Sequence, residues 1–357
     1  MKTLLRLLLK SQHQRNRSGP AQTDKGMTLV ELLVGSIMAF LIITPMLAFV
    51  VDMLNTDRRE QVKSNTEQDL QAAVDFIAQD LSQAIYIYDN IDINGGTRGT
   101  VTVTAIKSQL PAANDPSKTP ILVFWKRKQI KNAVPINSDP SSPQKPSDCP
   151  PNGSGCNDTY VLSLVAYYQF KDNDATWCQP SGGPCPTRIA RYEIREGVKN
   201  PTSSTPTNPY YSLTDKNEYA PDEAFNPSFD ISKPTLNVTR PDKLANLDEE
   251  VLVNYIDHSP GPLVTGNECT LALGNPKDTT GVTPIDIPET TLRIPSPPDS
   301  VNSFYACVDT SQNIARVTIR GNSLRRIQTD NADYEAKKAA YFPTASVQVQ
   351  GLGARGR

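Results

Sequence analysis

The sequence predicts an α+β protein in which a long N-terminal helix packs on an antiparallel β-sheet domain with long Pro-rich loop insertions. Three observations carry this prediction: an apolar run of 25 residues, an apolar stripe at helical spacing after it, and later runs rich in β-branched and aromatic residues. Proline is divided in the same way. Residues 1–88 hold two of the 30 prolines, and 25 lie beyond residue 130.

Charge separates the first residues from the rest. The formal net charge of the 357 residues is −2, which excludes a chain built mainly to bind nucleic acid. Residues 1–26 carry six basic residues against Asp24, and their removal lowers the net charge to −7. By the positive-inside rule this basic leader stays in the cytoplasm and the chain after the apolar run is exported.

The apolar run at 27–51 reads MTLVELLVGSIMAFLIITPMLAFVV. At ~1.5 Å per residue it is longer than the ~30 Å hydrocarbon core of a bilayer, so it predicts one transmembrane helix. Pro45 is expected to kink this helix, because it removes a backbone hydrogen bond. The predicted topology is a single crossing of the membrane, with the remaining chain exported as a head.

Glu31 is the only charged residue of the apolar run. An acid inside a membrane is costly and is a functional candidate by default. If the chain were cut after Gly26, the new α-amine of Met27 would lie four residues away on the same helix face. The acid could then pair with that amine or with the amine of a neighbouring copy. The alternative is a plain signal anchor that carries a stray acid.

The motif Gly26-Met-Thr-Leu-Val-Glu31, preceded by a basic leader and followed by an apolar run, resembles the prepilin-type leader of type IV pilins and type II secretion pseudopilins. The resemblance implies that a prepilin peptidase cuts after Gly26 and methylates Met27. It also implies that Glu31 neutralises the amine of an adjoining subunit during filament assembly. The family more often has Phe where this chain has Met27.

Helical signals continue beyond the membrane, since Leu70, Val74, Ile77, Leu81, Ala84 and Tyr88 step by four and three residues. They predict one helix over about 27–88, with 52–88 as its periplasmic extension, and a homomeric coiled coil is the alternative. The stretch from Gly26 through residues 57–89 resembles, more closely, a pseudopilin of the hormogonium polysaccharide secretion system of filamentous cyanobacteria. Its general form also resembles the J-type minor pseudopilins.

The exported head is expected over 89–330, followed by a short helix and a flexible tail over 331–357. Predicted strands lie at Val101–Ile106, Ile121–Trp125, Tyr160–Phe170, Arg188–Ile194, Glu250–Ile256, Phe304–Val308 and Ala315–Arg320. Long polar, proline-rich loops separate them at 131–159, 199–248 and 257–300. Because strands alternate with long loops, we expect one antiparallel sheet with large insertions, which covers the apolar stripe of the helix.

All six cysteines lie in the exported part, which predicts disulfides among 15 possible connectivities. Local spacing favours Cys149–Cys156 and Cys178–Cys185, and Cys269–Cys307 follows by elimination. A metal site is the weaker alternative, because no CxxC pair exists and the only histidines are His13 and His258. We therefore predict no metal site.

Four further features are expected to be structural. Asp257, His258 and Ser259 form a polar turn rather than a catalytic triad. Gly351–Gly356 fits GxGxxG as a string, but a flexible tail is expected there. The acids and amides Asp89, Asn90, Asp92 and Asn94 form a solvated turn, with a calcium site as the alternative. The aromatic residues that sugars could stack on are expected in the core: Tyr167, Tyr168, Trp177, Tyr210 and Tyr211.

The resemblance implies a non-enzymatic minor pseudopilin without catalytic residues or cofactor, which joins or primes an inner-membrane filament. Its partners would be prepilin peptidase, other pseudopilins and the inner-membrane assembly platform, in polysaccharide export that supports gliding motility. The first alternative is a filament-borne module, in an extracellular filament, that binds secreted polysaccharide or a surface. The second is a membrane-anchored periplasmic enzyme.

Overall fold

A computed structural model describes residues 28–136, 149, 155–171, 173–200, 203, 209–211, 219–260, 266–278, 284–296 and 303–353. The chain divides into two units, Met1–Asp57 and Arg58–Arg357. Within them the chain is mixed α+β, with a long N-terminal apolar helix and antiparallel sheets, as the sequence predicts at this coarse level.

The long helix spans Leu29–Ser82 and includes Pro45. It ends six residues before the expected end near residue 88. Ala84 of the stripe belongs instead to a short strand, β1 (Ala84–Ile87), which pairs with β4 (Lys118–Pro135), and Tyr88 follows directly after it. The segment Ala-Ile-Tyr-Ile favours a strand, because β-branched and aromatic side chains pack well on a sheet. The expected kink at Pro45 stays a prediction.

Shorter helical elements follow in the second unit. The α-helices are Asn90–Asn94, Glu268–Ala272 and Glu289–Leu292. The 3-10 helices are Lys107–Gln109, Pro241–Asn246, Leu324–Arg326 and Ala336–Tyr341.

The larger sheet has five antiparallel strands in the order β1-β4-β5-β6-β7, where β5 is Cys156–Phe170, β6 is Thr187–Arg195 and β7 is Glu250–Ile256. β4 and β5 form a long hairpin. Part of it was expected in a loop, since 131–135 and 156–159 belong to the strands. Ala133 of this extension is buried with Val161, Tyr211 and Tyr219 in a small second core, which explains why the strands continue.

The strands form two larger sheets instead of the expected single sheet. The second has four antiparallel strands in chain order: β10 (Arg293–Ile294), β11 (Phe304–Asp309), β12 (Ile314–Arg320) and β13 (Thr344–Gln350). Two small ribbons pair β2 (Gly96–Arg98) with β3 (Val101–Val103) and β8 (Lys277–Asp278) with β9 (Ile285–Asp286).

The C-terminal residues also differ from the expectation. A short helix is present at Ala336–Tyr341, but β13 takes the place of much of the expected flexible tail. Its sequence TASVQVQ alternates, and Ala345, Val347 and Val349 pack against the main core while the residues between them are exposed. Such alternation is typical of a half-buried strand.

The apolar stripe of the long helix lies in the main core of the second unit. Leu70, Val74, Ile77 and Leu81 are each at most 2% exposed and belong to one cluster with residues of both sheets. At full burial each such side chain contributes ~1.5–3 kcal/mol relative to exposure. Helix and sheets of this unit therefore share one hydrophobic core.

Three disulfides link the second unit: Cys149–Cys156, Cys178–Cys185 and Cys269–Cys307. This is the connectivity expected from cysteine spacing. Cys149–Cys156 ties the start of β5 to the preceding loop, and Cys269–Cys307 ties the helix Glu268–Ala272 to β11.

Candidate functional site

The candidate site at the N-terminus consists of Gly26, Met27 and Glu31. Gly26 and Met27 lie outside the described residues. Thr28 precedes the helix and caps it, because its hydroxyl oxygen accepts from the Glu31 N–H at 3.3 Å. The same hydroxyl approaches the Glu31 carboxylate at 3.5 Å. Glu31 thus lies in the first turn of the helix.

The pair Thr28 and Glu31 also forms a feature that the sequence reasoning missed. Thr-x-x-Glu is the capping-box pattern, in which the acid lies three residues after the N-cap. Negative charge in the first turn is favoured by the helix dipole. The local sequence contains this signal in full. Glu31 therefore stabilises the helix start, in addition to any role it has between subunits.

The helix surface after Glu31 is apolar on every side. All large hydrophobic side chains from Leu29 to Leu54 are exposed, and Phe40 and Phe49 reach 70% and 69%. A helix that is apolar all round belongs in a large core or in a membrane. Of the described helices, this one alone is long and apolar enough to cross a membrane.

The second unit holds the end of the long helix by a buried ionic cluster. Asp80 accepts from Lys126 Nζ at 2.6 Å, from Arg191 Nε at 2.9 Å and from the Tyr167 hydroxyl at 2.8 Å. Glu193 accepts from Arg191 at 2.7 Å. Against the effect of burial, hydrogen bonds from neighbouring side chains and the charge of Arg191 lower the pKa of Glu193 to about 2. The helix is therefore fixed by charge as well as by its apolar stripe.

The turn that contains His258 has separate hydrogen bonds for each of its polar residues. Ser259 Oγ donates to Asp257 at 2.7 Å, and Asp257 also pairs with Arg320 Nε at 2.9 Å. His258 Nε2 lies 2.9 Å from Asp333. A nucleophilic Ser would need the His as its hydrogen-bond partner. The arrangement is that of a polar turn after β7.

Asp89 and Asp92 are buried instead of forming the expected solvated turn. Asp89 caps the helix Asn90–Asn94 by accepting from the Asp92 N–H at 2.9 Å. Asp92 accepts from the Tyr86 hydroxyl at 2.7 Å and from Arg98 at 3.1 Å. Burial, followed by the charge of Asp89, raises the pKa of Asp92 to about 6.

The predicted calcium alternative would need free oxygen ligands at this place. Arg98 bridges both carboxylates, and Thr310 also donates to Asp89 at 2.9 Å. Over the described part of the chain, no cluster of three or more His, Cys, Asp or Glu residues could hold a metal ion. A cavity of about 340 Å³ lies beside the pair, with Arg98 and Thr310 in its wall. Its size is at the lower end for ligand pockets.

Most aromatic residues considered for sugar stacking are in the core. Tyr167, Tyr168, Tyr210 and Tyr211 are buried, and Trp177 is half-buried. The hydroxyl of Tyr168 donates to the Pro111 carbonyl and that of Tyr210 to Glu196. Such rings cannot offer an open face to a sugar.

The glycines of the C-terminal GxGxxG string are described as far as Gly353. A side chain at Gly351 or Gly353 would collide with the backbone of Ala84 or Ile85. These two glycines therefore permit a close approach between the end of the chain and β1. The rest of the string lies outside the described residues.

Comparison of the chain with models of protein families, with curated proteins and with solved structures finds no match in any of the three.

Proposed function

We propose that this protein is a minor pseudopilin with a pilin-like architecture: a non-enzymatic subunit that joins or primes an inner-membrane filament. The observation that carries the proposal is the motif Gly26-Met-Thr-Leu-Val-Glu31 at the start of a helix whose first half is apolar on all sides. In the proposal the leader stays in the cytoplasm, residues 27–51 cross the inner membrane and the head is periplasmic.

The placement of Glu31 supports its proposed role as an assembly acid. It lies in the first turn of the helix, with its carboxylate 3.5 Å from the Thr28 hydroxyl. No Lys, Arg or His occurs between residues 28 and 51. Within this stretch of the chain the acid has no basic partner, and in a bilayer a charge without a partner costs ~2.5–3.5 kcal/mol. The amine of Met27 in an adjoining subunit would supply the missing charge.

The proposed partners follow from the same mechanism. Prepilin peptidase would cut after Gly26 and methylate Met27, and other pseudopilins and the assembly platform would receive the mature chain. From the resemblance of the stretch between Gly26 and residue 89 we propose polysaccharide export supporting gliding motility as the process. The secreted polysaccharide is then the cargo of the system.

Mass spectrometry of the mature N-terminus tests the proposal. The full chain, isolated from membranes that contain a prepilin peptidase, is expected to begin at Met27 and to carry one N-methyl group. Gly26→Val should abolish the cut, because the bulky side chain replaces the residue before the scissile bond. Gly19→Val is the matched control in the same leader and should leave the cut intact. A wild-type chain that still begins upstream of Gly26 would refute the proposal.

A further inference from the structure

β13 is an edge strand and pairs with β12 on one side only. At the ends of this ladder, the Gly321 N–H donates to the Pro343 carbonyl and the Gly351 N–H to the Asn313 carbonyl, both at 2.9 Å. Hydrogen-bonded pairs alternate along an antiparallel ladder. The odd-numbered residues of β13 therefore bond to β12, and the even-numbered ones direct N–H and C=O outward. These outward residues are Thr344, Ser346, Gln348 and Gln350, and all four are exposed.

The other edges of the two large sheets are closed or blunted, as edges of soluble proteins commonly are. Asn313 closes β1, because its side chain accepts from the Ile87 N–H at 3.1 Å and donates to the Ala84 carbonyl at 3.0 Å. β7 bends at Tyr255, whose φ is +59°, and then bridges to the end of β12. β10 has two residues and is followed by Pro295.

β13 has none of these protections. It has seven residues, TASVQVQ, without a charge, a proline or a glycine. Among the described residues, no backbone hydrogen bond is made by its outward-facing groups. An uncharged edge of this length is a template for another strand.

We propose that β13 is an association edge that pairs antiparallel with β13 of a second copy of this chain. With Val347 of both copies at the centre, Thr344 lies opposite Gln350 and Ser346 lies opposite Gln348. Every outward residue then faces an outward residue, and full overlap allows about eight backbone hydrogen bonds between the copies. The two four-stranded sheets become one continuous sheet.

The side chains along the edge are compatible with a second copy as the occupant. On β12, Arg316 lies opposite Gln348 and Thr318 lies opposite Ser346. In the paired sheet, directly opposed residues on neighbouring strands form a line across the sheet. One such line runs from Arg316 through Gln348 to Ser346 and Thr318 of the second copy. Like charges do not meet in this line, and the pairs across the new edge are Ser with Gln and Thr with Gln. Polar uncharged pairs of this kind are compatible with direct cross-strand contact.

The side chains of β13 also argue against an unrelated peptide as the occupant. Where a foreign strand is added to a sheet edge, pockets for its alternate side chains give the specificity. Ala345, Val347 and Val349 pack against the core of their own unit. The edge therefore offers backbone groups in a self-complementary register, and its apolar side chains face the core of their own unit rather than an added strand.

Site-directed disulfide formation tests the register. All six native cysteines are bridged. Full chains carrying Ser346→Cys or Gln348→Cys, with different tags, are co-expressed in membranes and oxidised mildly. Directly opposed residues have Cα atoms about 5.5 Å apart, within the range that a disulfide spans. The mixed 346–348 cross-link is expected to dominate. Dominant 346–346 or 348–348 products, or no cross-link between copies, would overturn the proposal.

A blocking variant tests the edge without introducing cysteines there. In Gln348→Pro the lost N–H points outward, so the ladder with β12 is kept, and proline is tolerated at such positions. Each copy then loses the hydrogen bond that its residue 348 N–H would donate to β13 of the other copy. This loss should weaken the association of the two copies by about tenfold or more. The amide of Ser346 should then exchange hydrogen rapidly at a protein concentration that protects it in the wild type. Equal protection in the folded variant would contradict the proposal.

Two lysine variants test the same edge, one as the disrupting change and the other as its control. Ser346→Lys combined with Gln348→Lys places like charges directly opposite each other between copies and should abolish the cross-strand protection. Thr318→Lys adds a lysine on the same sheet, one strand further in, and should leave protection intact. The inference does not rest on the filament proposal: an unprocessed chain with a paired β13 would refute only the filament function.

Discussion

The two halves of the long helix share one backbone but have opposite relations to their surroundings. Between Leu29 and Leu54 every large apolar side chain is exposed, whereas between Thr66 and Leu81 seven side chains along one face are buried. The first half is apolar on all sides and contains two acids, Glu31 near its start and Asp52 near its end. The second half is apolar along a stripe and polar elsewhere. A single helix can therefore serve two environments, because the distribution of apolar residues around it changes along its length.

Buried charge distinguishes the second half most strongly. Asp80→Ala would leave Glu193 as the carboxylate that Lys126 and Arg191 still share. We therefore expect a loss near the lower end of the ~3–5 kcal/mol that breaking a buried ion pair typically costs. Asp75→Ala is the matched control, since Asp75 is exposed and bonds only to Gln71 at 2.9 Å. Urea unfolding monitored by tryptophan fluorescence should show a large loss for the first variant and less than about 0.5 kcal/mol for the second. Equal losses would show that the cluster does not anchor the helix.

Truncation of leucines compares the two halves directly. Leu70 is 1% exposed, and Leu70→Ala should destabilise the second unit by about 2–5 kcal/mol through lost burial and a cavity. Leu41 is 62% exposed and lies outside the unit that unfolds in this assay. Leu41→Ala in detergent should leave the urea midpoint unchanged. A similar shift for both variants would contradict the division of the helix.

Local patterns in the sequence predict the parts of this structure that depend on local spacing. The stripe through Leu70, Val74 and Ile77 follows helical periodicity, and the structure buries those side chains. Spacing could not predict the end of the helix at Ser82, because Ala84 and Tyr88 continue the same 3–4 pattern into β1. The partner strand β4, which takes these residues out of the helix, lies more than thirty residues further along the chain.

Local sequence patterns cannot predict ionic contacts between residues that are far apart in the chain. Asp80 falls outside the apolar stripe and would be expected in solvent. It is buried because Lys126 and Arg191 reach it from 46 and 111 residues away. Glu31 shows the opposite case, since its cap partner Thr28 is three residues away and the T-x-x-E pattern indicates the contact directly.

One contribution to the pH dependence of folding in the second unit should have an unusual sign. Its source is Asp92, which is buried beside Asp89, Tyr86 and Arg98 and has a pKa of about 6 against an ordinary value of 3.8. Between about pH 4 and 6 the folded state therefore binds this proton more tightly than the unfolded state. Because stability rises with pH only where the unfolded state binds more protons, the contribution of Asp92 falls as pH rises through this window.

Asp92→Asn isolates that contribution, since the amide resembles the protonated acid at every pH. The stability of the wild type relative to Asp92→Asn should fall by about 1–3 kcal/mol from pH 4 to pH 7 and level off above the folded pKa. Urea unfolding of both chains across this pH range measures the difference between their free energies of unfolding. The titration of other groups largely cancels in this difference, because both chains contain them. A constant difference would mean that Arg98 keeps Asp92 ionised throughout. A difference that grows with pH would reverse the sign and show that the ion pair outweighs burial.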